Sequence, residues 1–87
     1  MSDYYRITDK NNKQLSAYIM VNEAYNTATI LFKDDETGEN RIHAGTMNIA
    51  DGTLVVTDTT THIDASVDIG LMDKSTEIEF LLAMDVP

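Results

Sequence analysis

The feature that constrains the fold most is a strict alternation of apolar and polar residues over residues 62–69. Every second residue in this segment is Ile, Ala or Val, and the residues between them are His, Asp or Ser. Successive side chains of a β-strand point to opposite faces, so the pattern predicts a strand with one face in the core and one in water. Such half-buried strands are typical of antiparallel sheets.

Shorter runs of the same kind predict further strands over residues 4–8, 15–21, 27–33, 41–49 and 53–57. Turn residues separate these runs at 9–13, 22–26 and 34–40, while the Thr-rich stretch 57–61 fits either strand or loop. Asp51-Gly52 is a strong hairpin signal, because Gly accepts the positive φ that such turns need. Six or seven short strands predict an all-β antiparallel meander that forms a small barrel or a sandwich.

The last segment, residues 76–86, fits two structures. Thr76 and Glu79 have the spacing of a capping box, which predicts a short C-terminal helix. Ile78, Phe80 and Leu82 also alternate with other residues as in a strand. We favour the strand here, because a helix of about nine residues is marginal by itself.

The size of the chain predicts a single domain spanning residues 1–87. It contains no Cys, so neither a disulfide nor a thiolate metal site can add to its stability. The first residues lack the pattern of a signal peptide, and the longest apolar run, residues 80–84, is too short to span a bilayer. We therefore expect the protein in the cytoplasm, bacterial or host.

Negative charge is the most unusual property of the chain. The formal net charge is −9, and residues 43–87 hold eight acidic residues against the single cation Lys74. This charge disfavours nucleic acid and anionic membranes as direct ligands and instead favours a basic protein. On the outer face of a sheet, carboxylates at fixed spacing can stand in for phosphates and occupy a groove lined by Lys and Arg.

We therefore predict a non-enzymatic interaction module, most naturally an inhibitor that docks on a basic, nucleic-acid-handling partner. The residues predicted to bind the partner are the acids of the second half, namely Asp51, Asp58, Asp64, Asp68, Asp73, Glu77 and Glu79. In size, charge and β content the chain resembles the small acidic proteins that phages use against host nucleases, restriction enzymes and CRISPR complexes, such as DNA mimics and anti-CRISPR proteins. No motif carries this resemblance, so it assigns no residue roles.

An apolar surplus on the hairpin of residues 15–33 predicts a second surface. The core takes one face of this hairpin, and Tyr18, Met20 and Leu31 then lie on the other. Either a second layer covers these three residues, or they form an exposed patch. In the second case the protein is a self-associating β module, such as a homodimer or an assembly subunit.

Catalysis and metal binding have weaker support in the sequence. A small hydrolase or isomerase using His43 or His62 is the remaining alternative, but no phosphate loop, nucleophile elbow or Cys/His pair is present. The acids around Gly38 do not match a calcium loop, and two His without Cys do not make a zinc site. We expect neither a cofactor nor a metal.

Overall fold

The computed structural model describes residues 2–8, 15–34 and 36–84, with the side chains of residues 15 and 16 left out. The backbone of these residues forms seven strands, a short 3-10 turn at Ile69–Leu71 and one α-helix. The strands are β1 (Asp3–Thr8), β2 (Leu15–Asn22), β3 (Thr27–Lys33), β4 (Asn40–Ala50), β5 (Thr53–Asp58), β6 (Asp64–Asp68) and β7 (Met72–Lys74), and the helix is α1 (Glu77–Met84).

All seven strands belong to one antiparallel sheet, which is curled into a half-barrel with the order β6-β5-β4-β3-β2-β1-β7. Strands β1 to β5 each pair with the next strand along the chain, whereas β7 pairs with β1 at the edge opposite to β6. Only three residues separate β6 from β7, a connection that spans at most roughly 14 Å. The curl of the sheet therefore brings its two edges close together at that end.

Strand β4 pairs with both halves of the sheet, and its two ladders meet at Gly45. Residues 40–46 pair with β3 and residues 45–50 pair with β5, so Gly45 is in both ladders. A Cβ added at Gly45 would lie 1.8 Å from the carbonyl oxygen of Thr57 on the neighbouring strand. Only Gly allows the two backbones to approach so closely at this position.

The inner face of the half-barrel holds the main hydrophobic core. Ile19, Leu54 and Val56 are almost completely buried there, and cross-strand neighbours such as Ile30 and Met47 pack beside them. The buried members of this core are Ile7, Ile19, Val21, Ala28, Ile30, Met47, Leu54 and Val56. Each large aliphatic side chain buried in this way contributes about 1.5–3 kcal/mol. Residues 64–68 alternate because Ala65 and Val67 pack against this core while the residues between them face outwards.

Helix α1 packs on the outer face of the sheet and forms a second, smaller apolar layer. The ring of Phe80 is buried and lies 5.5 Å from the ring of Tyr4 on β1. Arg6 on β1 forms an ion pair with Glu79, and the side-chain amide of Asn40 donates to the backbone carbonyl of Ala83 at 2.8 Å. These contacts place the helix across the outer face from β1 to the start of β4.

The prediction of a strand over residues 76–86 is wrong, because residues 77–84 form α1. The alternative signal was the correct one: the Glu79 N–H donates to the Thr76 hydroxyl at 3.1 Å, and the Thr76 N–H donates to the Glu79 carboxylate at 3.0 Å. This capping box starts the helix. Docking of Phe80 on the sheet supplies the stabilisation that an isolated helix of eight residues lacks.

The strand predicted over residues 62–69 is shorter than expected. It begins at Asp64, because the N–H of His62 donates to the carbonyl of Asp58 and His62 has a left-handed φ of 61°. Ile63 consequently lies outside the sheet and is 62% exposed, although the alternation predicted it in the core. Residues 59–61 form a turn, and β7 was not predicted.

The other predicted elements agree with the structure where it describes them. The all-β antiparallel fold is confirmed, and the predicted bounds of β3, residues 27–33, are those observed. Three parts of the predicted elements lie outside the described residues. They are the turn at 9–13, Asp35 of the turn at 34–40, and residues 85 and 86 of the last segment. In the described residues no helix has the length and apolarity needed to cross a membrane.

Candidate interaction surface

Strand β6 presents two carboxylates on the outer face of the sheet. Asp64 and Asp68 project outwards with Ser66, because Ala65 and Val67 pack against the core. The two Asp are four positions apart, so they lie roughly 13 Å apart along the strand. Asp64 accepts a hydrogen bond from the Thr57 hydroxyl at 2.5 Å, which fixes its carboxylate against β5.

The turns at the two ends of β5 add two further carboxylates. Asp51 is exposed in the β4–β5 turn, where it has a φ of 53°, and its neighbour Gly52 accepts a hydrogen bond from the N–H of Ile69. Asp51 therefore lies at the same end of the sheet as Asp68. Asp58 lies at the other end, next to Thr57, the register partner of Asp64, and its side chain leaves β5 on the face of Val56, opposite to that of Asp64.

The carboxylate of Asp58 is fixed by the turn that follows it. It accepts hydrogen bonds from the N–H groups of Thr60 and Thr61, both at 2.8 Å. Hydrogen bonds from these backbone N–H groups lower the pKa of Asp58 below its ordinary value of 3.8, and the bond from Thr61 has the larger effect. Asp58 therefore stays ionised at neutral pH.

We call Asp51, Asp58, Asp64 and Asp68 the β5–β6 acidic surface. Residues 42–73 contain no Lys or Arg, so β5, β6 and most of β4 hold no cation that could neutralise it. Within the described residues, ion pairs occur on other elements and join Arg6 to Glu79, Arg41 to Asp34 and Lys74 to Asp3. The charges of the molecule are thus segregated along the sheet.

The remaining three acids of the predicted face lie near the opposite edge, around Arg6. Asp73 on β7 is the register partner of Arg6, so their side chains are on the same face of the sheet. Glu79 lies 3.3 Å from the Arg6 guanidinium. The pKa of Glu79 is lowered most by the hydrogen bond from the Ser75 hydroxyl. The Thr76 N–H and the charge of Arg6 lower it further.

Glu77 is close to the hydroxyl of Tyr4. Burial is the main cause that raises the pKa of Tyr4 above its ordinary value, and the nearby Glu77 carboxylate raises it further. The expectation that Glu77 and Glu79 project from the outer face of a strand is wrong, because both lie in the first turn of α1. The seven predicted acids therefore form two groups, and Arg6 neutralises Glu79.

The predicted patch on the β2–β3 hairpin is largely covered. Leu31 is only 4% exposed, and Tyr18 and Met20 are half-buried. Helix α1 contacts β1 and β2 on this face, so it is the second layer that the sequence left open. Leu31 contributes to packing and does not lie on an accessible surface.

Helix α1 instead exposes an apolar surface that the sequence analysis missed. Ile78, Leu81 and Leu82 are 68%, 52% and 67% exposed, and we call them the α1 apolar stripe. They span roughly 100° of the helix circumference and lie opposite the buried Phe80. The capping box of Thr76 and Glu79 predicts a helix here, and at helical spacing residues 78, 81 and 82 lie on one face.

The two His lie in different surroundings, since His43 is half-buried and His62 is exposed. The carbonyl of Val56 can only accept, so Nε2 of His43 donates to it at 2.9 Å. His62 is exposed in the turn that precedes β6. In residues 2–8, 15–34 and 36–84 neither ring is hydrogen-bonded to a carboxylate, and no group of three His, Asp or Glu side chains is arranged to hold a metal ion.

No protein-family model, curated protein or solved structure matches this chain at a significant level.

Proposed function

We propose that this protein is a non-enzymatic interaction module whose β5–β6 acidic surface docks on a basic, nucleic-acid-handling protein and inhibits it by competition. The observation that carries the proposal is the segregation of charge along the sheet. Four carboxylates lie on one unit of two strands and their turns, in a stretch of the sequence without Lys or Arg. The field of such a surface steers a partner of opposite charge.

The geometry of this surface favours a partner that binds polyanions. Hydrogen bonds hold Asp58, Asp64 and Asp68 in fixed directions, so little side-chain freedom is lost when cations bind to them. A carboxylate held by neighbouring hydrogen bonds presents a defined acceptor to Arg, much as a phosphate does. A Lys- and Arg-lined groove that binds nucleic acid offers the complementary donors.

A matched pair of charge variants tests the proposal. The triple variant Asp51→Asn, Asp64→Asn and Asp68→Asn removes three charges from the acidic surface. The control Glu23→Gln, Glu36→Gln and Glu39→Gln removes three exposed charges from other turns, and both variants carry a formal charge of −6. Asn keeps an acceptor oxygen at each of the three surface positions, so both variants should fold.

The assay is affinity capture from cell lysate at low and high salt, with the retained proteins identified by mass spectrometry. We expect the wild type and the control to retain basic nucleic-acid-binding proteins at about 0.05 M salt and to lose them at about 0.5 M, where screening is short-ranged. The surface variant should lose them at both, and added duplex DNA or RNA should compete. Equal capture by both variants, or capture that salt leaves unchanged, would contradict the proposal.

A further inference from the structure

Strand β6 is an edge of the sheet and pairs with β5 alone in the described residues. Two hydrogen bonds at its ends show which of its backbone groups β5 uses. The N–H of Asp58 donates to the carbonyl of Ile63 at 3.0 Å, and the N–H of Ile69 donates to the carbonyl of Gly52 at 2.9 Å. In an antiparallel ladder every second residue bonds to the partner strand, so the odd-numbered residues between 63 and 69 bond to β5.

The even-numbered residues of β6 direct their backbone groups to the other side. These residues are Asp64, Ser66 and Asp68, and all three are exposed. Their N–H groups and the carbonyls of Asp64 and Ser66 point beyond the edge of the sheet, whereas Asp68 caps the 3-10 turn that follows. Such a row of backbone donors and acceptors is a template for a further strand.

The other edge, β7, offers no comparable row. It has only three residues, which lie between the 3-10 turn and helix α1. The N–H of Met72 donates to the carbonyl of Ile69, and the N–H of Ser75 donates to the carbonyl of Tyr4 on β1. Of the three residues of β7, Lys74 alone directs both backbone groups away from β1.

The side chains of the same β6 residues determine which charge an added strand should carry. Asp64 and Asp68 flank Ser66 on the outer face of the sheet. One oxygen of each carboxylate is held within the molecule, by the Thr57 hydroxyl in one case and by the Gly70 N–H in the other. The second oxygen of each carboxylate can therefore accept from a Lys or Arg of a neighbouring strand.

The cations of the described residues do not neutralise these two carboxylates. The ion pairs join Arg6 to Glu79, Arg41 to Asp34 and Lys74 to Asp3. Lys33 is exposed, but it lies on β3, and strands β4 and β5 separate it from β6. An added strand with basic side chains is therefore complementary to this edge.

A second copy of the chain fits this edge poorly. Antiparallel pairing of two β6 strands about Ser66 would set Asp64 of each copy opposite Asp68 of the other. Like charges directly opposite each other in a sheet are destabilising, whereas opposite charges in the same places are stabilising.

We propose that β6 accepts an extended segment of the partner as an additional antiparallel strand. Lys or Arg side chains four positions apart in that segment pair with Asp64 and Asp68. Apolar residues between them extend the core beside Ala65 and Val67, which are only half-buried. Backbone bonds then supply affinity and side chains supply specificity, as in other cases of strand addition. This inference rests on the proposed function, because it takes the partner to be a basic protein.

The experiment uses a synthetic nine-residue peptide with the central sequence Lys-Val-Thr-Val-Lys and two backbone-methylated forms of it. When the Thr lies opposite Ser66, its N–H points at β6, so a methyl group on that nitrogen blocks pairing. The N–H of the Val that follows points away from β6, so a methyl group there is the control. All three peptides carry the same charge.

Two protein variants make the same comparison from the other side. Ser66→Pro removes the central N–H of the free edge but keeps both carboxylates, and Pro is tolerated in edge strands when its nitrogen faces outwards. Ser66→Ala removes the same hydroxyl but keeps the N–H. Circular dichroism checks that both variants are folded, and if Ser66→Pro does not fold, the methylated peptides decide with the wild type alone.

We expect calorimetry to show equal binding of the unmodified peptide to the wild type and Ser66→Ala. Binding should weaken at least about tenfold in Ser66→Pro and for the peptide methylated on Thr, but not for the peptide methylated on Val. Amide exchange measured by NMR should show that the N–H of Ser66 becomes protected when the peptide binds. The N–H of Ala65 bonds to β5 and should be protected with or without the peptide.

Equal binding in all these comparisons, or no new protection at Ser66, means that charge alone attracts the peptide. That result overturns this inference and leaves the proposed function standing. Failure of the unmodified peptide to bind the wild type also overturns it, while capture by the charge variants decides the proposed function independently. A dimer that light scattering detects in the wild type but not in Ser66→Pro would assign the edge to a second copy and overturn the inference as well.

Discussion

The close approach of β4 and β5 at Gly45 positions the β5–β6 unit, and the variant Gly45→Ala tests it directly. An added Cβ would lie 1.8 Å from the oxygen and 2.6 Å from the carbon of the Thr57 carbonyl. Real Cβ contacts are essentially never shorter than 3.0 Å, so one strand must move by at least about 1.2 Å. Both neighbours are backbone atoms, and no side-chain rotation relieves the contact.

The expected cost follows from the bonds that this movement breaks. Gly45 and Thr46 are the register partners of Asp58 and Thr57, and ladder bonds stretched by more than 1 Å no longer count as hydrogen bonds. Losing one or two of them costs about 1 kcal/mol each, and overpacking adds about 1–3 kcal/mol. We expect about 2–5 kcal/mol in total, from a folding free energy that for this length is roughly 4–13 kcal/mol.

Urea denaturation followed by circular dichroism measures this loss. The midpoint should fall strongly in Gly45→Ala, and thermal unfolding should shift by about 10 °C or more. Gly70→Ala is the matched control, because the nearest atom to its Cβ is a side-chain oxygen of Asp68 at 3.2 Å, which needs to shift by only a few tenths of an ångström. Equal midpoints for the two variants would refute the close approach of β4 and β5.

Two further predictions concern the helix cap and the turn before β6. Thr76→Ala removes the hydroxyl that caps α1 and should lower the free energy of unfolding by about 1 kcal/mol, whereas Thr76→Ser should retain most of it; urea titration of both variants checks this. The lowered pKa of Asp58 means that its contribution to stability is present above the ordinary carboxyl pKa of 3.8 and is lost as pH falls through the lowered value. In Asp58→Asn the side-chain oxygen still accepts from Thr60 and Thr61, so urea titrations below about pH 4 should show a smaller loss of stability than in the wild type. An identical pH dependence in both proteins would contradict the role of this carboxylate.

The hairpins of the sheet follow from local sequence, and these were predictable. Asp51 and Gly52 adopt φ values of 53° and 74°, as a two-residue hairpin turn requires, and the strands on either side pair directly across it. The bounds of β3 were also predictable, because its alternating apolar residues end at Lys33 where the turn begins. In each case neighbouring residues determine the structure.

Long-range contacts determine what the sequence analysis missed. Residues 77–84 fit both a strand and a helix, because apolar residues occupy two opposite faces of the helix, and packing of Phe80 on Tyr4 decides between the two structures. Strand β7 has only three residues and no pattern, so its pairing with β1 was not predictable. That pairing places Asp73 opposite Arg6, a cation of the kind that the β5–β6 acidic surface lacks.

The two edges of the sheet help to separate the structural role of the surface charge from its role in binding. Edge strands commonly carry charged side chains that prevent edge-to-edge pairing, and Asp64 and Asp68 on β6 have this effect. Charge of either sign prevents such pairing, and Lys is the residue that proteins favour for it. Edge β7 carries both signs, in Asp73 and Lys74, whereas residues 42–73 carry only acids. Edge protection therefore explains why β6 is charged but not why the charge is uniformly negative, and the proposed docking on a basic partner would account for the sign.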